Sequence, residues 1–206
     1  MSVNNKELIK PLLTFPKPGD SFYFVQILQR KKDHKGTALG GSNNNSRLIK
    51  AYYINSLEKL EVHWEEMVKL AELFNARVSI NLNPRSFEKA GFQLLSKVAH
   101  QMENKDFYNI RTAYDSVLGN YHAEMDKRWL IDLDKDQMHF LTDIETFVQE
   151  EHVKLKSHEK VSRYHILGKI PSKSGLHLIT NPFNLEKWKW PDVEIHRNNP
   201  TNLFIP

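Results

Sequence analysis

Two runs near the start of the chain are patterned as strands. Phe22 to Gln29 is rich in aromatic and β-branched residues. Leu48 to Tyr53 alternates Leu48, Lys50 and Tyr52 against Ile49, Ala51 and Tyr53. Between them, Gly36 to Ser46 contains Gly40-Gly41-Ser42-Asn43-Asn44-Asn45 and has nothing with which to pack a core. Together these segments predict a hairpin with a long, mobile tip. An amphipathic helix follows, with Leu57, Leu60, Trp64, Met67, Ala71 and Phe74 at helical spacing. Asn55 and Glu58 have the spacing of a capping box at its start. Ala76 to Leu82 reads as a strand, and Asn83-Pro84-Arg85-Ser86 as a turn. Ser86 is placed to cap a helix to about Met102, and a further helix spans about Asp106 to Leu118, stopping at Gly119.

The rhythm changes after residue 125. Arg128 to Asp134 has the pattern of a strand, and Thr142 with Glu145 opens a helix ending near His152. Further strands are predicted at Arg163 to Leu167, Leu176 to Thr180, Val193 to His196 and Leu203 to Ile205, with a short helix near Asn184 to Lys189. The order from Arg128 is β-α-β-β-(α)-β, that of a ferredoxin-like or RNA-recognition-type sheet. The expected fold is mixed α/β (α+β). An N-terminal α/β unit, about residues 1–125, packs on a C-terminal sheet unit, about residues 126–206, in one compact body and a single catalytic domain. No Pro/Gly-rich linker separates them.

Composition narrows the function classes. A chain of 206 residues, 40% hydrophobic and 26% charged, has what a full core needs. Cysteine is absent, which excludes disulfides, thiol catalysis and Cys-ligated metal. Any metal is left to carboxylates, His or substrate oxygens. No apolar run reaches membrane-spanning length. Met1 to Lys10 lacks an apolar signal core, so a cytoplasmic protein is expected. The net charge of +4 suits a polyanionic partner. One basic stretch holds Lys154, Lys156, Lys160, Arg163, Lys169 and Lys173 against Glu159 alone; a second holds Arg30, Lys31, Lys32 and Lys35 around Asp33. Each could equally be a solvated face.

Three segments could carry chemistry. In Trp129-Leu130-Ile131-Asp132-Leu133-Asp134, alternation points Trp129, Ile131 and Leu133 to a core and Asp132 and Asp134 together to the other face. Two like charges side by side repel unless a cation or proton lies between them. Mg²⁺ favours few carboxylates plus phosphate oxygens. The plainer alternative is that Asp134 ends the strand and caps a turn. The segment Pro171-Ser172-Lys173-Ser174-Gly175-Leu176-His177 joins two strands. Ser172, Lys173 and Ser174 supply two hydroxyls and an ammonium beside a permissive Gly, which suits phosphate, or it is an ordinary hairpin loop. His177 serves there as a donor to phosphate or as a base. A third acid is offered by Asp192 or Glu194 in Trp190-Pro191-Asp192-Val193-Glu194-Ile195, with the strand-interior Glu194 held more rigidly. His152, His158 and His165 have spacings of no usual metal site.

Hydrophobic-Asp-x-Asp, then a Ser/Lys/Gly loop ending in His, then hydrophobic-acid, in that order, resembles the archaeo-eukaryotic primase superfamily. Ser172-Lys173-Ser174-Gly175-Leu176-His177-Leu178 is similar to the corresponding loop in the polymerase domains of bacterial end-joining ligases. Asn83-Pro84-Arg85 is similar to an Arg-bearing turn in small plasmid and phage members. The resemblance covers about Ala76 to Pro206. It implies that Asp132 and Asp134, with Glu194 or Asp192, bind Mg²⁺ or Mn²⁺. It also implies that His177 with Ser172, Lys173, Ser174 and Arg85 holds the triphosphate of an incoming nucleotide. The chain departs from the family in having Glu at 194 where Asp is usual, and in lacking a zinc motif or accessory primase domain. The implied function is a two-metal, template-directed nucleotidyltransferase, a DNA or RNA primase-polymerase for a phage, plasmid or mobile element. Its partners would be nucleoside triphosphates and a DNA or RNA template, with a helicase or other replication protein as a candidate and no membrane. The alternatives are a non-catalytic nucleic-acid-binding replication module and a metal-dependent phosphodiesterase or nuclease.

Overall fold

The computed structural model describes residues 2–30, 46–120, 127–155 and 165–206. Strand β1 (Val3–Asn4) and helix α1 (Lys6–Ile9) come first. Strands β2 (Ser21–Arg30) and β3 (Ser46–Ile54) pair antiparallel, as the predicted hairpin requires. Helix α2 (Leu57–Leu73), strand β4 (Arg77–Ile80), the two-residue β5 (Arg85–Ser86) and helices α3 (Phe87–Glu103) and α4 (Ala113–Asn120) follow. The second half runs β6 (Trp129–Asp134), α5 (Leu141–Leu155), β7 (Ile166–Pro171), β8 (Gly175–Thr180), β9 (Glu194–His196) and β10 (Thr201–Ile205).

These strands make two antiparallel sheets, and the fold is mixed α+β in one body. The first sheet has the order β1-β10-β4-β2-β3, with β5 beside the start of β2. The second has the order β7-β8-β6-β9. Its earliest strand, β6, therefore sits between its third and fourth, the order expected of a split β-α-β unit. One face of this sheet packs Ile131, Leu133 and Leu178 on Ile144, Phe147 and Val148 of α5. On the other, Leu130, Ile170 and Ile179 join the core of the first sheet, meeting Val25, Ile27, Val78, Ile80 and the α2 residues Leu60, Met67 and Ala71.

Several local expectations are corrected. Ser56 caps α2, not Asn55: its backbone is extended and its Oγ accepts the Lys59 N–H at 3.1 Å. Ser86 caps α3 in the same way, as expected. The helix read from Asp106 is a 3-10 turn (Tyr108–Thr112) leading into α4, which runs past Gly119. The capping box ahead of α5 belongs to Asp134 and Gln137, not Thr142 and Glu145, and opens a 3-10 turn at Lys135–Phe140. No helix forms at Asn184 to Lys189. There Phe183, Trp188 and Trp190 pack edge-on against Phe147 and cover α5 with aromatic rings instead. The strand predicted from Arg163 begins at Ile166. The last strand, β10, joins the first sheet through β4 and β1. The hairpin tip from Gly36 to Asn45, Lys31, Lys32 and Lys35, and Lys156, His158, Lys160, Arg163 and Tyr164 lie outside the described residues, as do the side chains of His152 and Lys154.

Buried amides tie the sheets together. Past the end of β4, the Asn83 Oδ1 accepts the Arg128 N–H at 2.7 Å, and its Nδ2 donates to the carbonyls of Arg128 and Arg197, each at 3.1 Å. Nδ2 of Asn81 donates to the Asn198 carbonyl at 2.6 Å. On the far side, Nδ2 of Asn5 donates to the carbonyls of Pro171 in β7 and Asn202 in β10, at 2.8 and 2.9 Å. Asn83 is 4% exposed, so its backbone partners gain no water if the amide is removed. Asn83→Ala should therefore lose about 2–3 kcal/mol of stability. A urea titration would read this as a lower midpoint at unchanged slope.

Candidate active site

The register of the second sheet sets three polar side chains in one row. Asp132 on β6 pairs with His177 on β8 and, across its other edge, with Glu194 on β9. Residues directly opposite point to the same face. The neighbouring positions confirm which face: Ile131, Leu133 and Val193 are buried under α5, so Asp132, Asp134 and Glu194 turn the other way. His177 Nε2 lies 3.5 Å from Asp132 Oδ1, and His177 Nδ1 is 2.8 Å from the Thr201 hydroxyl on β10. Glu194 Oε2 is 3.0 Å from Nε2 of His196, two residues along the same strand.

The β7–β8 turn closes one end of this row. The Ser172 N–H donates to the Gly175 carbonyl at 3.0 Å, leaving Lys173 and Ser174 at the tip. Gly175 pairs with Asp134, and a Cβ there would come within 1.9 Å of the Leu133 carbonyl oxygen. Only glycine allows so close an approach of two backbones. The approach brings the Ser174 hydroxyl to 3.4 Å from Asp134 Oδ1. Asp134 also caps the following turn: its carboxylate accepts the Gln137 backbone N–H, and its own N–H donates to Gln137 Oε1 at 3.0 Å. The plainer sequence alternative for Asp134, a strand-ending cap, is thus realised, and its carboxylate still borders the site.

The first sheet supplies the opposite wall. Even-numbered β2 residues share one face. At one end Phe22 and Phe24 are covered by Ala90 and Leu118; at the other, Leu28 and Arg30 border a cleft of about 940 Å³. Arg77 and Ser79 of β4 and Asn202 of β10 continue that wall. Asp132, Asp134, Ser172, Lys173, Ser174, His177, Asp192, Glu194 and His196 line the rest. Carboxylates of one sheet thus face guanidinium groups of the other, with Lys173 at the hairpin tip. His177 is 8% exposed. Burial pushes its imidazole below the ordinary value of 6.5; Asp132 opposes this, and the charges of His196, Arg77 and Arg30 reinforce it.

Most of the residues singled out from the sequence meet here. Arg85 does not: it is buried at the far end of β2, its guanidinium 5.0 Å from the Phe24 ring centroid. Six residues along a strand, about 20 Å, separate Phe24 from the cleft residue Arg30. Of the two third-acid candidates, Glu194 occupies the strand position opposite Asp132. Asp192 lies before the strand, where its backbone carbonyl accepts from Gln137 Nε2. Among the described residues, no three His, Asp or Glu side chains stand close enough to hold a metal ion as they are. The donor chemistry nevertheless fits a hard divalent cation. Asp132 and Glu194 offer carboxylate oxygens from adjacent strands, and Asp134 borders the same cleft.

Sequence reading missed Arg77, Thr201 and His196. Arg77 had a signal: Arg77-Val78-Ser79-Ile80 alternates within a strand that is buried on both faces, so an Arg there must face polar company. Thr201 had none, because its partner lies on another sheet. His165, one of the three His set aside, is buried and its carbonyl accepts the Asn181 N–H. No helix among the described residues is long and apolar enough to cross a membrane. Compared with known proteins, the chain matches no family model, no curated sequence and no solved structure.

Two outcomes follow from this geometry. Gly175→Ala must push the hairpin tip off β6. It should cost about 2–3 kcal/mol, read from thermal melting, in the range for a disruptive backbone substitution. The second concerns pH. A histidine whose folded value is depressed binds fewer protons folded than unfolded, so its contribution is intact above pH 6.5 and is lost as pH falls through the folded value. The melting temperature of the wild type should therefore drop more steeply between about pH 7.5 and about pH 5 than that of His177→Gln, whose amide does not titrate.

Proposed function

We propose that the chain is a metal-dependent, template-directed nucleotidyltransferase of the primase-polymerase type, working on nucleoside triphosphates and a DNA or RNA strand. One observation carries this reading: Glu194, Asp132 and His177 form a register-aligned row that looks across a cleft at Arg77 and Arg30, with Lys173 at its rim. Opposed acidic and basic walls suit a ligand that is itself polyanionic and brings cations with it. The antiparallel split β-α-β order of the acid-bearing sheet supports the same resemblance that the motifs carry.

Asp132 and Glu194, with Asp134, would hold Mg²⁺ or Mn²⁺. A bound ion supplies charge neutralisation at the phosphates and a more acidic attacking 3′-hydroxyl. The chain's own residues do the rest. Lys173, Ser172 and Ser174 bind and orient phosphate oxygens at the hairpin tip, where Gly175 lets the loop lie flat against β6. Arg77 and Arg30 offset negative charge from the opposite side, and Arg77, only 7% exposed, acts where water screens it least. His177 donates a hydrogen bond to a phosphate oxygen near Asp132. Glu194 must leave His196 to reach a shared ion. The setting is replication of a phage, plasmid or mobile element, in the cytoplasm, with a helicase or another replication protein as a further partner.

The test is incubation with labelled nucleotides, primed and unprimed templates, and Mg²⁺ or Mn²⁺. Extension or priming is expected, and Asp132→Ala should lower it roughly a hundredfold or more with the melting temperature kept. Asp134→Ala should lose activity and also about 1 kcal/mol of stability, because it removes a cap. Glu194→Gln should be more damaging than Asp192→Asn. Lys173→Ala should weaken triphosphate binding by roughly ten- to a hundredfold while template affinity changes little. Shortening of a labelled strand in place of extension would favour a phosphodiesterase. Strand binding without chemistry, unaffected by Asp132→Ala, would make the chain a binding module.

A further inference from the structure

His177 belongs to the second sheet, but the group that holds its ring belongs to the first. Its Nδ1 is 2.8 Å from Oγ1 of Thr201, which is fully buried on β10. Its Nε2 points the other way, 3.5 Å from the Asp132 carboxylate. A neutral imidazole carries one proton, and the two nitrogens have different neighbours. If Nδ1 carried it, a bare Nε2 lone pair would face a carboxylate. If Nε2 carries it, that N–H faces the anion, and Nδ1 is left to accept from a hydroxyl that can rotate to donate. Both contacts are then satisfied.

We propose that Thr201 is a positioning residue: by donating its hydroxyl to Nδ1, it fixes His177 as the Nε2–H tautomer and makes the ring a hydrogen-bond donor toward an anionic oxygen in the cleft. This settles the choice left open by the sequence, donor or base, in favour of the donor. It also couples the two sheets at the reacting end of the cleft, since a shift of β10 relative to β8 would release the ring. The phosphate as the anionic oxygen rests on the nucleotidyltransferase reading; the tautomer does not.

The experiment is ¹⁵N NMR of the imidazole nitrogens in the full chain at neutral pH, joined to a titration with inorganic triphosphate. The wild type should show a protonated Nε2 and a bare, hydrogen-bond-accepting Nδ1. Thr201→Val, close in shape but without the hydroxyl, should give a mixture of tautomers and bind triphosphate roughly tenfold more weakly. Thr201→Ser should restore both. A protonated Nδ1 in the wild type overturns the proposal without any variant, whatever the folding of Thr201→Val. An unchanged Thr201→Val spectrum overturns it as well. The wild-type tautomer found as expected, with triphosphate failing to bind any of the three proteins, would leave Thr201's role standing and remove the nucleotide reading instead.

Discussion

The cleft exists because a side-chain amide stands in for a strand. At Asn83, one carboxamide accepts from a backbone N–H and donates to two carbonyls, just before β6 and just after β9. That is the bonding a peptide group offers in a ladder, delivered by a residue of the first sheet to strands of the second. Asn5 bridges the sheets as well, its amide donating to carbonyls of β7 and β10. Apolar contact alone, through Leu130, Ile170 and Ile179, would hold the sheets together without fixing their rotation, because hydrophobic attraction has no direction. Hydrogen bonds have one. With both ends pinned, Asp132 and Arg77 keep a fixed separation, and the polar ends of the sheets are left facing each other across open space.

Within that frame, polar groups are arranged by opposition. The acids stand on β6 and β9, where repulsion between Asp132 and Glu194 is relieved by His177 on one side and His196 on the other. Each carboxylate thus has an imidazole beside it. The guanidinium groups sit on the facing sheet. Carboxylates and guanidinium groups thus line one cleft from different sheets.

What the sequence reveals tracks how local each cause is. Strands β2, β3, β6 and β8 are readable because alternation is a property of five or six consecutive residues. The row of Glu194, Asp132 and His177 is half readable: each residue lies in a pattern that exposes it on one face, but the alignment of the three depends on pairing registers that no single strand contains. Arg85 shows the opposite failure. Its turn looks like a ligand loop, yet two residues of pairing with β2 draw it under the Phe24 ring. Asn81 reads as one more strand residue and Asn83 as an ordinary turn former, since the partners of the amides that lock the sheets lie from 45 to 117 residues away. The replacement of a helix by Phe183, Trp188 and Trp190 is likewise decided by Phe147, an aromatic partner on another element.

The position of β10 bears on the order in which the molecule can be made. Residues from Thr201 to Phe204 pair with β4, and among the described residues β1 pairs only with β10, so Val3 waits for Ile205. On a ribosome, β2, β3 and β4 emerge early and can form a hairpin-based sheet, but the edge of β4 stays bare until the chain has grown from Ile80 to Thr201 and beyond. An uncovered strand edge is a template for pairing with another chain. The second sheet, whose strands lie between residues 129 and 196, has no such dependence and can assemble first. Its completion then presents β10 to the waiting edge of β4, so β10 closes the first sheet, brings Thr201 to His177 and finishes the cleft.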